Sequence, residues 1–516
     1  MSISSIPNEL ILYMTEIDTK VVKYLRPLCR LYNELLNHPK LRPRQYTHPT
    51  TIIDKLNKYN IVIDTSIMGS GKTHTTSFVC WKLGFIPFVI CEPSIVSVWN
   101  EVLQSYGITN RHISTYASLS RGQRNEYIKK NDDKYTITEC FSSLLRTGKI
   151  LLIIDECDNI KNKSGKTIAS ALISKNVLQY GGKIICLSAS PFDKAEHIVN
   201  VSRVLGWITE ERIARHDIQN GYILEGGREF IHNLPCDLSY LEREEIISRI
   251  DSKNKYDIFF RTFIDYSKPK IMVCMPKPYI EKKLTITNNV YNVTPMQRIK
   301  LEEFGYKLEL GYVNISDGHR TNNPILVTLG WNMVSKALKN ISIVKGEVVA
   351  RIANELLTTT NKKVVIVFYH IDPINYLSEY FKSYNPIVLV GKVAAKQRSI
   401  LIKEFNNNKN KRLMIANLAV ISKGVSLHDV VGDSPRHMLV IPDYRIILMH
   451  QVTRRIYRDG QQSDAVVSYV YTKAHRSEAK VLDNLAKKSE VLKELRDEKL
   501  EDILYPSEHP FVDETN

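Results

Sequence analysis

Residues Asn60 to Thr76 read NIVIDTSIMGSGKTHTT, and the fold follows from this stretch. Ile61, Val62 and Ile63 form the kind of apolar run that makes a buried parallel strand, and the run breaks into Gly69, Ser70, Gly71, Lys72 and Thr73. A loop with so little side-chain bulk lets successive backbone N–H groups close around phosphate oxygens. The N-terminus of the next helix adds its free N–H groups and partial positive charge. Lys72 is then placed to reach the outer phosphates of a nucleotide, and the Thr73 hydroxyl to ligate a magnesium ion bridging them. Ser66 holds the first position of the loop pattern, where Gly is usual and a small residue suffices. A second Ser-Gly-Lys-Thr run, Ser164 to Thr167, has Ile160 at that first position and no separate apolar strand before it. It reads as an exposed turn and helix start.

At 516 residues the chain is too long for one core and is expected to divide into roughly two to four domains. No uncharged apolar run of about 18 residues or more occurs, so no membrane span is expected. The start, MSISSIPNELILYMTEIDTK, carries acidic residues where a secretory signal has a basic segment, which predicts an intracellular protein, cytoplasmic or nuclear. The eight cysteines include no C-x-x-C pair and sit mostly in apolar segments, as reduced core residues do. A formal charge of +16 suits a polyanionic partner, although many basic proteins have none.

Residues 1–40 carry helical spacing (Leu25, Leu28, Leu31, Leu35, Leu36) and predict a helical extension. A lobe over 41–205 follows. Gln45, one short helix before the loop, offers an amide donor and acceptor suited to an adenine edge, against the commoner fate of a surface Gln. Phe88 to Cys91 is a second strand, Ser97 to Leu103 a helix with Trp99 and Glu101, and a third strand ends at Ser114, Thr115 and Tyr116. Ile150 to Ile154 runs into Asp155 and Glu156. Two carboxylates at a strand's C-terminal end serve nucleotide hydrolysis, one holding magnesium and the next orienting and deprotonating water. Lys183 to Leu187 ends in Ser188, Ala189 and Ser190. Strands alternating with helices predict a parallel sheet with ligands at its C-terminal edge.

Residues 206–340 lose this rhythm and read as a mostly helical insertion or linker, with a strand-like stretch near 282–293. Alternation resumes over 341–475, a second parallel sheet without a phosphate loop, and 476–516 form a helical extension. Gln451, Arg455 and Arg458 stand at i, i+4 and i+7, one face of a helix. They read as either surface ion-pairing groups or arginine fingers completing the nucleotide site across a cleft; the absence of an arginine for that site in the first sheet favours the fingers.

In order, these segments resemble the superfamily 2 helicases and translocases over about 41–475. LRPRQ with Gln45 looks like the adenine-recognition motif, SIMGSGKT like motif I, PSIVSVWNEV like Ia, STYASL like Ib and DECD like II. SAS, with Ser188 and Ser190 in the coupling role, looks like motif III, LAVISKGVSLHD like V and QVTRRIYRDGQ like VI. DECDNIKN, GVSL and RIYRDGQ look most like Swi2/Snf2-type translocases and the related ATPases of large DNA viruses. Arg454 stands where motif VI commonly has Gly. The resemblance implies two RecA-like P-loop NTPase lobes of α/β class. ATP and Mg2+ would lie between them, with Gly424 also lining the nucleotide, and nucleic acid, DNA favoured over RNA, would lie across both. It further implies viral transcription or genome handling, packaging in a virion, and partner proteins of transcription or nuclease type. Two rivals stand beside it: a non-catalytic nucleic-acid-binding or structural protein with this fold, and an ATPase subunit of a restriction or defence assembly.

Overall fold

Ile61–Asp64, Ile150–Asp155 and Lys183–Leu187 carry almost nothing but Ile, Leu and Val up to their last residue, and are buried nearly throughout. Such continuous apolar strands belong inside a parallel sheet covered on both faces. The computed structural model describes residues 41–496, apart from 43, 44, 124, 133, 218, 220, 277–279, 423 and 424. The expected extension over 1–40, Gly424, and residues 497–516 lie outside the described residues.

The first sheet is built from β1 (Ile61–Asp64), β2 (Ile86–Cys91), β3 (His112–Thr115), β4 (Ile150–Asp155), β5 (Lys183–Leu187) and β6 (Met272–Val273). Its order is β6-β1-β5-β4-β2-β3, and every pair is parallel. Asp64 and Asp155 both pair with Leu187, so three strands end at one level. The phosphate loop, the Ser188–Ser190 turn and the acid pair therefore emerge side by side at the C-terminal edge, where such sheets bind ligands.

The second sheet contains β7 (Leu284–Tyr291), β8 (Lys363–Phe368), β9 (Ile387–Leu389), β10 (Leu413–Asn417), β11 (Arg436–Val440) and β12 (Ala465–Thr472), in the parallel order β7-β12-β11-β8-β10-β9. The two sheets with flanking helices are the two expected RecA-like lobes, but their limits differ from boundaries at 205 and 341. Met272–Val273 joins the first sheet as β6, and Leu284–Tyr291 joins the second as β7. Two residues are too few for a periodic signal, and β7 carries Asn288 and Asn289, which an edge strand tolerates. A chain of about ten residues thus leaves the phosphate-loop strand's neighbour and enters the second sheet.

Between β7 and β8 stand two long helices, α1 (Pro295–Arg320) and α2 (Pro324–Thr359). Thr294 and Gln297 form a capping box with Pro295 at the first turn, and Asn323 caps α2 ahead of Pro324. The helices touch backbone to backbone at Gly311 and Gly330: a Cβ on Gly330 would stand 2.6 Å from the Gly311 carbonyl oxygen. The helix His475–Arg496 runs back from the second sheet toward the first. Its Lys488 Nζ donates to the Tyr444 carbonyl at 2.6 Å and lies 3.7 Å from Asp193, and Glu494 pairs with Arg261 at 2.8 Å. Among the described residues no helix is long and apolar enough to cross a membrane.

Candidate active site

At the end of β1, the fully buried Asp64 carboxylate organises the phosphate loop. Its Oδ1 accepts from the Ser66 N–H at 2.9 Å and from the Ser66 hydroxyl, and its Oδ2 meets His48 Nε2 at 2.9 Å. Burial pushes the Asp64 carboxyl upward, but His48, Lys72 and Ser66 together hold it below its ordinary value. Ser66 does more than fit: its Oγ also accepts the Met275 N–H at 2.7 Å, tying the loop's first position to the chain that crosses to the second sheet. Gly71 has φ +93°, which side-chain-bearing residues rarely adopt, and caps the helix Lys72–Leu83. A Cβ there would also overlap Gln45 Nε2, which donates to the Ser70 carbonyl. Gln45 is thus buried against the loop and not at the surface. Lys72 Nζ rests on the Ser66 and Ile67 carbonyls at 2.7 and 3.3 Å, and the partly exposed Thr73 follows in the first helical turn.

The acid pair lies one strand beyond β5. Asp155 Oδ1 accepts the Glu156 N–H at 2.9 Å, and Oδ2 accepts the Trp99 indole N–H at 2.7 Å. Burial first, and then the Glu156 charge, push the Asp155 carboxyl up to about 7, against the pull of Trp99 and Lys72. Glu156 has φ +52°, a left-handed conformation that costs a non-glycine residue about 1 kcal/mol or more. Its buried Oε2 has no hydrogen-bond partner among the described residues. Ser188 donates its N–H to the Asp64 carbonyl at 3.1 Å and its Oγ accepts the Ser190 N–H at 3.2 Å, while the buried Ser190 Oγ has no partner among the described residues.

Arg455 and Arg458 arrive from the second sheet, though not on a helix face. The helix Ile446–Thr453 carries Gln451 and ends before both arginines, and the Arg455 carbonyl, beyond it, accepts the Leu427 N–H at 2.8 Å. The two still converge on the loop. Arg455 Nη2 bonds the Ser422 carbonyl and lies 3.3 Å from Met68 Sδ, and Nη1 donates to the Val425 carbonyl at 3.3 Å. The Arg458 stem packs on Gly69, with Cδ 3.8 Å from where a Cβ would stand. Burial, and then Arg458, push the Arg455 guanidinium well below its ordinary value, with Glu156 acting the other way; burial brings Arg458 down to about 10. Arg42 and Asp459 form an ion pair across the same cleft. Gln451 is fully buried, and neither amide atom has a partner among the described residues.

The buried Arg455 and partly buried Arg458 guanidiniums, without a carboxylate partner among the described residues, a Gly-lined loop, and Glu156 Oε2 and Ser190 Oγ, unpartnered among the described residues, fit an anionic ligand between the lobes. The hydroxyl of Thr73 and the carboxylate of Asp155 are the oxygen donors a hard divalent cation takes. The second Ser-Gly-Lys-Thr run is a helix start: Ser164 caps Gly165–Gln179 by accepting from Thr167 N at 3.4 Å, and Lys166 Nζ donates to Asn159 at 3.2 Å. His48, Asp64, Met68, Trp99 and Tyr116 escape sequence reasoning as site residues. Trp99 and Tyr116 lie inside recognised motifs, but an aromatic side chain at helical spacing reads as core.

A protein of Acanthamoeba polyphaga mimivirus named as an ATP-dependent RNA helicase is 23% identical over 505 residues, covering 90% of this chain and 85% of its own. The motifs run in order through that span, over two parallel six-stranded sheets. The chain is thus similar to a viral superfamily 2 helicase along most of its length. Another relative is the SNF2 domain-containing protein CLASSY 3 of Arabidopsis thaliana, 33% identical over 116 residues, 21% of this chain and 8% of that protein. The Sulfolobus solfataricus SWI2/SNF2 ATPase core in complex with dsDNA overlays with a TM-score of 0.30 and 17% identity, over 88% of this chain and 97% of that one. No family model matches the chain.

Proposed function

We propose that this chain is a Snf2-like ATP-dependent motor on nucleic acid, DNA favoured over RNA, which hydrolyses ATP between its two lobes. The observation that carries the reading is the convergence of Arg455 and Arg458 on Met68 and Gly69, since an ordinary one-lobe nucleotide site needs nothing from a distant sheet. Lys72 leaves its loop carbonyls to hold the outer phosphates. Glu156 orients water and takes its proton. Arg455 and Arg458 meet the charge that builds on the γ-phosphate, where donors in a water-poor cleft act most strongly. Thr73 and Asp155 would hold Mg2+, which when bound would neutralise phosphate charge. Gln45 lines the nucleotide, Gln451 completes the site with the two arginines, and Ser188 and Ser190 relay closure. Closing and opening of the lobes then moves the chain along a strand.

Phosphate contacts make the grip on nucleic acid salt-dependent. The reading includes a role in viral transcription or genome handling, in keeping with the mimivirus relative. ATPase rates measured side by side with single-stranded DNA, duplex DNA and RNA test it. Stimulation strongest with DNA is expected; a chain that binds nucleic acid without hydrolysing ATP would be the non-catalytic rival.

A further inference from the structure

We infer that Trp99 and Tyr116 are positioning residues that together fix the Asp155–Glu156 pair for its metal and its water; the inference rests on the ATPase reading above. Both side chains come from helices at the C-terminal edge of the first sheet. Trp99 lies in Val96–Ser105, after β2, and Tyr116 opens Tyr116–Arg121, after β3. Both are buried, yet each sends its one polar hydrogen to the same dipeptide: the indole N–H to Asp155 Oδ2 at 2.7 Å, and the phenol O–H to the Asp155 carbonyl at 2.8 Å. A buried indole or phenol needs a partner, and any nearby backbone carbonyl would satisfy it. Here the indole takes the side-chain oxygen of a residue proposed to hold the metal.

The geometry gives each bond a separate task. With Oδ1 held by the Glu156 N–H and Oδ2 by Trp99, the Asp155 carboxylate plane cannot turn, and each oxygen keeps a lone pair for a cation. Tyr116 acts one bond further on. The carbonyl it holds belongs to the peptide joining Asp155 to Glu156, and Glu156 is the residue in the left-handed region. Pinning that peptide helps keep the strained backbone in place and aims the Glu156 carboxylate. Outer partners of metal-holding carboxylates typically change metal affinity or activity by about 10- to 100-fold when removed.

The test compares wild type with Trp99→Phe and Tyr116→Phe, each of which keeps a ring and loses a donor. Mn2+ affinity is read by electron paramagnetic resonance with a non-hydrolysable ATP analogue, nucleotide affinity is read in EDTA, and kcat and KM in Mg2+. Trp99→Phe is expected to weaken Mn2+ about tenfold while metal-free nucleotide affinity stays as in wild type. Tyr116→Phe is expected to lower kcat about tenfold with KM unchanged, because it touches the backbone that aims Glu156. A folded Trp99→Phe with wild-type Mn2+ affinity would overturn the metal role, and a wild-type kcat in Tyr116→Phe would overturn the other. If Trp99→Phe does not fold, Tyr116→Phe alone decides. A wild-type protein without metal-dependent nucleotide binding or hydrolysis would instead overturn the ATPase reading itself, and this inference with it.

Discussion

Arg458 lies against Gly69: its stem, led by Cδ, packs on the bare backbone of the phosphate loop, and the side chain is partly buried in the cleft between the sheets. Arg458→Ala removes both the packing and the charged fork, whereas Arg458→Lys keeps most of the stem and loses only the planar donors. If the fork acts in the transition state, both variants fall in turnover by roughly 10³-fold or more while ATP affinity changes far less. The measurement is steady-state ATPase with saturating nucleic acid, alongside fluorescent-nucleotide binding. Normal turnover in Arg458→Ala would sink the cross-cleft mechanism.

Lys72 and Glu156 are expected to separate binding from chemistry. Lys72 sits on the loop carbonyls of Ser66 and Ile67, ready to be drawn off by phosphate, so Lys72→Ala should weaken ATP binding. Glu156 Oε2 is buried without a hydrogen-bond partner among the described residues, so Glu156→Gln should bind ATP and trap it unhydrolysed. A Glu156→Gln protein turning over at the wild-type rate would remove the acid pair from the mechanism. Lys166→Ala, at the decoy helix start, should leave nucleotide binding within a few-fold of wild type.

The strands of both sheets were legible because buried parallel strands write themselves as unbroken Ile, Leu and Val runs, as in ILLII before Asp155. The phosphate loop was legible for the opposite reason, its lack of bulk. β6 was not, being only Met272 and Val273; β7 was legible as a strand-like stretch but its place in the second sheet was not, so the crossing between lobes was hidden inside an apparent linker. Arg455 and Arg458 were found by spacing that assumed a helix, and the structure brings them together through a turn instead. That Ser66 would be hydrogen-bonded on two sides, or Trp99 bonded to Asp155, depends on distances between segments that no local pattern encodes.

Asp193 sets an acid limit on the docking of the lobes. Burial pushes its carboxyl up, but His197, Lys161 and Lys488 overcome this and hold it well below the ordinary carboxylate range. A carboxyl depressed in the folded state adds stability that is fully present above its unfolded value, near 3.8, and is lost as pH falls through the folded one. Lys488 belongs to the helix that returns from the second sheet, so the loss includes an inter-lobe tie. Thermal unfolding from pH 6 down to pH 2 should show wild type losing more stability than Asp193→Asn below about pH 4. Parallel curves for the two proteins would remove the ion cluster from the account.

Gly71 carries two independent requirements, and they can be taken apart. Its φ of +93° costs any side-chain-bearing residue about 1–3 kcal/mol, and a Cβ would in addition run into the Gln45 amide. Gly71→Ala should therefore weaken nucleotide binding by about tenfold or more, since roughly 1.4 kcal/mol is one decade. Adding Gln45→Ala removes the obstruction but leaves the backbone strain, so the double variant should recover only part of the loss. Gln45→Ala alone frees the Ser70 carbonyl, which the Gln45 amide now holds, and should weaken binding less than Gly71→Ala. Equilibrium titration of the three variants, read as a double-mutant cycle, checks this. Strict additivity would mean that the Gln45 amide does not press on the loop, and that Gly71 is needed for its backbone angle alone.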